Sequence, residues 1–199
     1  NRRIQRFDPD GSFVLSWGSY GEGDGQFREP EGIAVTGDGI VYVTDNFANR
    51  VQTFSTDGVF TGTWGSTGTE EGLLNGPVGI ACGPDGYIYV SECYNNRVQK
   101  FTGEGVFVLA WGGPGQAEGQ FACPSGISTG PGGLVYVSDY GNDRVQVFDG
   151  GGVFIASFGL TGNGQGGFDG PYGLTLDGTG DIYVTDSGNN RVQKYSPLD

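Results

Sequence analysis

A repeat of 47 residues runs through this chain without an insertion or deletion, and it constrains the fold more than any other feature. Its clearest marker is an arginine followed by Ile or Val and then Gln, at Arg3, Arg50, Arg97, Arg144 and Arg191. Trp17, Trp64, Trp111 and Phe158 keep the same spacing. A period of this length indicates an array of small supersecondary units that bury their apolar faces against their neighbours.

Each repeat contains four short runs with strand character. In the unit that starts at Pro30 they are residues 32–35, 41–45, 50–54 and 59–64, separated by turns rich in Gly and Asn, which accept positive φ angles. No segment has an apolar period near 3.6 residues, so helices are not expected. Four antiparallel strands per repeat of this length predict an all-β fold, a β-propeller of four-stranded blades.

The phase of the repeat predicts the domain organisation. Residues 1–199 form a single propeller domain or part of one. The predicted pieces are a third and a fourth strand in 1–18, full units in 30–65, 77–112 and 124–159 with connecting loops, and a partial final blade in 171–196.

The third strand occurs twice, near Ile4 and near Val192, so a closed ring of four blades would have one strand in excess. We therefore expect about four blades that form an arc of a larger propeller. The alternative is a compact ring that displaces the duplicate strand. An arc exposes two blade faces, which further blades of the same propeller or a protein partner would cover.

The run DSGNNRVQ at 186–193, followed by Tyr195, has Pro171 and Gly173 upstream. This pattern resembles the NHL repeat, and the resemblance recurs in every unit. It implies a propeller, commonly of six blades. The family includes binding scaffolds and some enzymes, so the resemblance does not imply one activity.

Composition limits the partners. The formal charge of −13, from ten basic and twenty-three acidic residues, disfavours binding to nucleic acid or to anionic membranes. No apolar stretch of about 18 residues predicts membrane insertion, and no signal peptide is visible. The three cysteines do not have the spacing of metal ligands, and their number does not indicate whether the protein resides in an oxidising or a reducing compartment.

Residues that recur in every unit are expected to be structural. An acidic residue precedes the arginine by five positions, across the hairpin turn, where the two side chains can pair or can bond exposed backbone groups of the hairpin. These pairs are Asp45 and Arg50, Glu92 and Arg97, Asp139 and Arg144, and Asp186 and Arg191. The tryptophans Trp17, Trp64 and Trp111 are expected to pack between blades rather than to stack on a ligand.

Residues that differ between units are the better candidates for function, because propeller loops vary on a rigid scaffold. On the expected binding face these are Glu31, Phe47, Tyr94, Tyr140 and Tyr172. Exposed aromatic side chains beside polar groups suit contact with a protein or a glycan. The alternative is that some of them tuck under the long loops.

Two further features of these loops leave alternatives open. Acidic residues in the loops could hold calcium, but they lack a recognisable ligand spacing, so a solvated acidic rim and no cofactor or metal are expected. Cys93 and Cys123 fall on the same face of adjoining blades, where a disulfide is conceivable. Cys82 replaces Val35 of the first unit and is expected to be a small buried hydrophobic residue.

The leading functional hypothesis is a non-catalytic module that binds a protein partner through its loop face. The chain has no histidine, the commonest general base and the usual zinc ligand. Propellers similar to this family include a zinc-dependent amidating lyase and calcium-dependent lactonases, so a hydrolase or lyase is the alternative. RNA binding is a third hypothesis, which the acidic charge disfavours.

Overall fold

A computed structural model describes residues 1–197 of the chain. The prediction of an all-β propeller with four-stranded antiparallel blades is confirmed. The only helical segments among the described residues are the 3₁₀ turns Asn46–Ala48, Pro131–Gly133 and Tyr140–Asn142.

The strands follow one another in simple antiparallel order within each blade. The chain opens with an N-terminal hairpin of β1 (Ile4–Phe7) and β2 (Phe13–Trp17), and then a short parallel pair, β3 (Ser19–Tyr20) and β4 (Gln26–Phe27). Blade 1 contains β5 (Pro30–Val35), β6 (Ile40–Asp45), β7 (Arg50–Ser55) and β8 (Phe60–Trp64). Blade 2 contains β9 (Pro77–Cys82), β10 (Ile88–Glu92), β11 (Arg97–Phe101) and β12 (Phe107–Gly112).

The second half of the chain repeats this order. Blade 3 contains β13 (Pro124–Thr129), β14 (Val135–Asp139), β15 (Arg144–Phe148) and β16 (Phe154–Phe158). A second parallel pair, β17 (Leu160–Thr161) and β18 (Gly167–Phe168), precedes blade 4, which contains β19 (Pro171–Leu176), β20 (Ile182–Asp186) and β21 (Arg191–Tyr195). The first strand of each blade packs against the first strand of the next, so these strands line the centre.

The tryptophan side chains of the fourth strands pack against aromatic residues of the blade that follows. Trp64 packs against Phe101 of blade 2 with the two rings tilted by 41° and their centroids 4.6 Å apart. It also covers Gly105, where an added Cβ would lie 2.2 Å from the indole and where φ is +82°. The repeated glycine of this turn is therefore required both by its backbone conformation and by the tryptophan of the preceding blade.

The two end faces of the array differ from the internal ones. Val51, Val98 and Val145 are fully buried by the next blade, whereas the equivalent Val192 of blade 4 is 63% exposed. At the other end Ile33 is 50% exposed, whereas Ile80 is 5% exposed. Apolar positions that a neighbouring blade covers inside the array are thus open to solvent at both ends.

Candidate binding face

A buried carboxylate at the end of each second strand organises the long loop on the same side of its blade. In blade 2 the carboxylate of Glu92 is fully buried and accepts hydrogen bonds from the Asn75 backbone N–H (2.8 Å), Arg97 Nε (2.6 Å) and Gln99 Nε2 (2.8 Å). These bonds tie the loop, the hairpin turn and the third strand together. We name this side of the propeller, which carries the second-to-third-strand turns and the long loops, the loop face.

The guanidinium of Arg97 extends the network into the loop itself. Its terminal nitrogens donate to the backbone carbonyls of Thr69 (2.7 Å), Glu70 (3.0 Å) and Leu73 (2.8 Å). The corresponding ion pairs measure 2.8 Å for Asp139 and Arg144, 2.7 Å for Asp186 and Arg191, and 3.5 Å for Asp45 and Arg50. Sequence reasoning placed the acidic and basic partners across the hairpin but missed that the arginine also holds the loop carbonyls.

Asp186 shows what these contacts do to a buried carboxylate. Burial alone raises its pKa, but hydrogen bonds from the Asp169 backbone N–H, Arg191 and Asn189 outweigh that effect and hold the pKa below its ordinary value. The folded state is therefore more stable with the Asp186 carboxylate ionised than with it protonated.

Four aromatic residues that differ between repeats stand on the loop face and remain accessible to solvent. Phe47 is 58% exposed, Tyr94 60%, Tyr140 41% and Tyr172 40%. Two of the rings lie over glycines of the long loops, Tyr94 against Gly76 and Tyr140 against Gly170, which restricts their motion. One side of each of these rings is thus held while the other faces solvent.

The aromatic residues continue into the centre of the propeller through Tyr172. Its ring packs edge-on against Tyr140 at 6.0 Å, and its hydroxyl donates a 2.7 Å hydrogen bond to Glu31 Oε2. This bond joins β19 of blade 4 to β5 of blade 1 beside a cavity of about 380 Å³ lined by the first strands of all four blades. Tyr140, Tyr172 and Glu31 are therefore one connected group.

The surroundings of Glu31 disfavour its charge. Burial raises the pKa of this carboxyl, the hydrogen bond from Tyr172 opposes that effect, and the negative charge of Glu29 raises the pKa further. Burial and the adjacent Glu31 also raise the pKa of the Tyr172 phenol. The pair is most stable with the phenol protonated.

A pH-dependent effect of Glu31→Gln follows from the raised pKa. A carboxyl whose pKa is higher in the folded chain than its ordinary 4.5 favours folding below that value, and the benefit is lost as the pH rises through the folded pKa. Relative to the wild type, Glu31→Gln should therefore gain stability as the pH rises above 4.5 and through the raised pKa of the Glu31 carboxyl. Urea unfolding across this range, with exposed Glu71→Gln as control, measures the effect, and a pH-independent difference would contradict it.

Cys93 and Cys123 are joined in a disulfide in this structure. The bond connects the hairpin turn of blade 2 to the segment that enters blade 3, next to the exposed ring of Tyr94. Cys82 is a free thiol, and it is partly rather than fully buried. Burial, followed by the charge of Asp38, raises the pKa of Cys82 to about 11, so its thiolate is scarce at neutral pH.

The acidic loop residues do not assemble into a recognisable metal centre. Within residues 1–197, no three or more His, Cys, Asp or Glu side chains are grouped so that they could hold a metal ion. Glu70, Glu71 and Glu118 are exposed to solvent. No helix in the same residues has the length and apolar character needed to cross a membrane.

Comparison with known proteins identifies the family. The NHL repeat profile matches residues 27–54, 74–101, 121–148 and 168–195. The chain belongs to the NHL-repeat family. No curated protein sequence matches the chain significantly.

Several solved structures are similar in fold to this chain although their sequence identity to it is low. A catalytically inactive virginiamycin B lyase from Staphylococcus aureus, solved with quinupristin, is 19% identical with a TM-score of 0.67, and the match covers 98% of this chain and 63% of that one. A protein of unknown function from Bacteroides thetaiotaomicron is 18% identical with a TM-score of 0.73, covering 94% and 51%. A nidogen/laminin complex gives 22% identity and a TM-score of 0.63, covering 84% and 60%. This chain thus spans less than two thirds of each of these structures.

Proposed function

We propose that this NHL-repeat segment is a non-catalytic protein-binding module that recognises its partner through the loop face. The observation that carries the proposal is the group of four exposed aromatic side chains, Phe47, Tyr94, Tyr140 and Tyr172, on that face. Large rings offer contact area at a small loss of conformational entropy, and Tyr is enriched at the energetic centres of protein interfaces.

The scaffold beneath the rings supports this role. Tyr94 lies on Gly76, whose N–H donates to Asn49 Oδ1 of blade 1 (2.7 Å). Tyr140 packs on Gly170, whose N–H donates to Asp143 Oδ1 (2.9 Å). Because the loops below the aromatic residues are fixed by such bonds, little further ordering is required on binding.

The charge of the segment indicates the chemistry of the partner. Glu22, Asp24, Glu29 and Glu31 lie in or beside the first long loop, and the chain carries a net charge of −13. We therefore propose a protein partner whose contact segment combines apolar with basic side chains, because an acidic surface attracts such a segment and repels anionic ones.

The exposed end faces support a second part of this proposal, that the segment is an arc of a larger propeller. Thr44 Oγ1 donates to the Val78 carbonyl of the next blade at 2.8 Å, whereas the equivalent Thr185 of blade 4 is exposed and, within residues 1–197, donates to the Gly173 carbonyl of its own blade. Further blades at this end would supply the missing acceptor and cover Val192. The loop-face partner binds a different surface.

Selection from a phage-displayed library of random peptides on the immobilised protein tests partner recognition. We expect enriched peptides to contain Lys or Arg beside apolar residues, and a Phe47→Ala/Tyr94→Ala double variant to bind them at least about tenfold more weakly. Val106→Ala is the matched control, because Val106 is 62% exposed in a turn on the opposite side.

Three outcomes would count against the proposal. They are a failure to enrich any peptide, equal binding by the double variant, and a loss of binding in Val106→Ala as large as in the double variant. Metal analysis of the purified protein addresses the competing hydrolase or lyase hypothesis. A stoichiometric calcium or zinc ion bound in the central cavity would favour that alternative.

A further inference from the structure

A cleft of about 1120 Å³ lies between blades 1 and 2, among the turns opposite to the loop face. Its walls include Asp38 and Tyr42 of blade 1, Trp64 at the end of β8, and Gly103 and Glu104 of the blade 2 turn. The lining residues include carboxylates and hydroxyls but no Lys or Arg. The same region of the next blade interface is organised differently.

Between blades 2 and 3, this space holds the ammonium group of Lys100. Its Nζ donates to Asp85 Oδ2 at 2.8 Å and to the backbone carbonyl of Gly150 at 2.9 Å. It also lies over the rings of Tyr87, 4.3 Å from the centroid, and Tyr89, 5.1 Å from the centroid. A carboxylate, a carbonyl and aromatic faces are a complete environment for an alkylammonium ion.

The 47-residue register maps this ammonium site onto the cleft. Asp85 corresponds to Asp38, Gly150 to Gly103, and Tyr89 to Tyr42, whose hydroxyl donates to the Gly103 carbonyl at 3.2 Å. Lys100 itself corresponds to Thr53. Tyr87, the ring nearer to Lys100 Nζ, corresponds to Ile40. Blade 1 therefore keeps the carboxylate, the carbonyl and one of the two tyrosines of the site but has no ammonium group of its own.

A cation stands at the position of Lys100 in two further repeats, as Arg6 and Lys194. In blade 4, Lys194 Nζ lies 2.6 Å from Asp181 Oδ2 and over Tyr183, although Asp181 stands at the position of Tyr87 and Thr179 at that of Asp85. In the N-terminal hairpin, Arg6 donates to the Thr56 carbonyl, the equivalent of the Gly150 carbonyl. In blade 3 the carboxylate and the cation are absent together, since Gly132 and Val147 stand at these positions.

A second substitution provides the space for an alkyl chain. Gly62 lies opposite Thr53 in the sheet, where blade 2 pairs Leu109 with Lys100. Gly62 and Trp64 line the cleft, so an aliphatic chain can extend beside the indole. Thr53 and Gly62 are thus both smaller than the residues that fill the next interface.

The electrostatics of the cleft are those of an uncompensated anionic site. Burial raises the pKa of Tyr42, and the nearby Cys82, Asp38 and Glu104 raise it further. The pKa of Cys82 is raised by burial and then by Asp38. After burial, the carboxylates of Asp38 and Glu104 contribute to these raised pKa values, and no Lys or Arg is among the residues that line the cleft.

We propose that the cleft between blades 1 and 2 binds an alkylammonium group, with its nitrogen in the position that Lys100 Nζ occupies in the next interface. Asp38 and the Gly103 carbonyl accept its hydrogen bonds, and Glu104 adds negative charge at the entrance. The ligand is a small primary amine or the lysine side chain of another protein, which present the same chemical group. The site is separate from the loop face.

Isothermal titration calorimetry with n-butylammonium chloride tests the proposal, with n-butanol as the neutral probe. We expect saturable binding of the amine at one site and none of the alcohol. Thr53→Lys should abolish binding by placing an internal ammonium in the cleft, and Asp38→Asn should weaken it by about tenfold or more. Glu71→Gln is the matched control, because it removes an exposed carboxylate outside the cleft, and it should bind as the wild type does.

An Nα-acetyl-lysine amide probe separates the two sources of the ammonium group. Binding tighter than that of butylammonium indicates a lysine side chain of a protein, and weaker binding indicates a small free amine. Equal binding by wild type and Thr53→Lys, or no binding of either amine, would overturn the proposal.

A rescue experiment gives a readout that does not depend on the cleft variants. Lys100→Ala empties the equivalent site between blades 2 and 3, and butylammonium should then raise the melting temperature of this variant more than that of the wild type. An equal effect of the amine on both proteins would contradict the idea that this position selects an ammonium group.

Discussion

Glu92→Ala is expected to destabilise the propeller by about 3–5 kcal/mol, the range measured when one partner of a buried ion pair is removed. The carboxylate is fully buried and accepts bonds from Arg97, Gln99 and the Asn75 backbone N–H. Its removal leaves the guanidinium of Arg97 without its counter-ion and the long loop without its anchor.

Urea unfolding monitored by tryptophan fluorescence measures this effect. Glu71→Ala is the control, because it removes an exposed carboxylate from the same loop region and should change the stability by less than about 0.5 kcal/mol. Glu92→Gln keeps a hydrogen-bond acceptor but removes the negative charge of residue 92. It should also lower the free energy of unfolding, because the guanidinium of Arg97 then lacks its counter-ion. If Glu92→Ala and Glu71→Ala unfold at the same urea concentration, the buried network does not contribute as described.

The sequence predicts most of the fold because the repeat presents the same pattern several times. Each acidic residue, arginine and tryptophan recurs at a fixed distance, so the blade and its strand order can be deduced from one unit and checked in the others. What the pattern cannot show is which backbone groups a side chain reaches. The bonds from Arg97 to the carbonyls of the long loop depend on the loop conformation. Because every residue has a backbone carbonyl, the sequence does not indicate which of them accept.

The candidate sites show the same limit. Sequence reasoning selected Glu31 and Tyr172 separately, as residues that differ between repeats, but their hydrogen bond spans 141 positions and depends on how the blades curve around the centre. The cleft between blades 1 and 2 did leave a signal, since Thr53 and Gly62 replace larger residues of the other units. These substitutions can be interpreted only from the structure, which shows that Lys100 Nζ donates hydrogen bonds to Asp85 and to the Gly150 carbonyl at the equivalent place.

Loss of the Cys93–Cys123 disulfide is expected to reduce the free energy of unfolding by about 3–4 kcal/mol. The bond closes a loop with a sequence separation of 30 residues, and the chain-entropy relation for a loop of that length gives this magnitude. The loop contains strands β11 and β12, so the bond restricts the unfolded form of half of blade 2 and of its connection to blade 3.

Urea unfolding of the oxidised protein, the reduced protein and a Cys93→Ser/Cys123→Ser variant measures this contribution. The reduced wild type and the double variant should have nearly the same midpoint, well below that of the oxidised protein. Cys82→Ala is the control, because it removes the free thiol and leaves the disulfide in place. Thiol titration of the unfolded oxidised protein should detect one thiol, that of Cys82, and three after reduction. Three thiols before reduction would show that the bond does not form, and coincident unfolding curves would show that it does not stabilise the propeller.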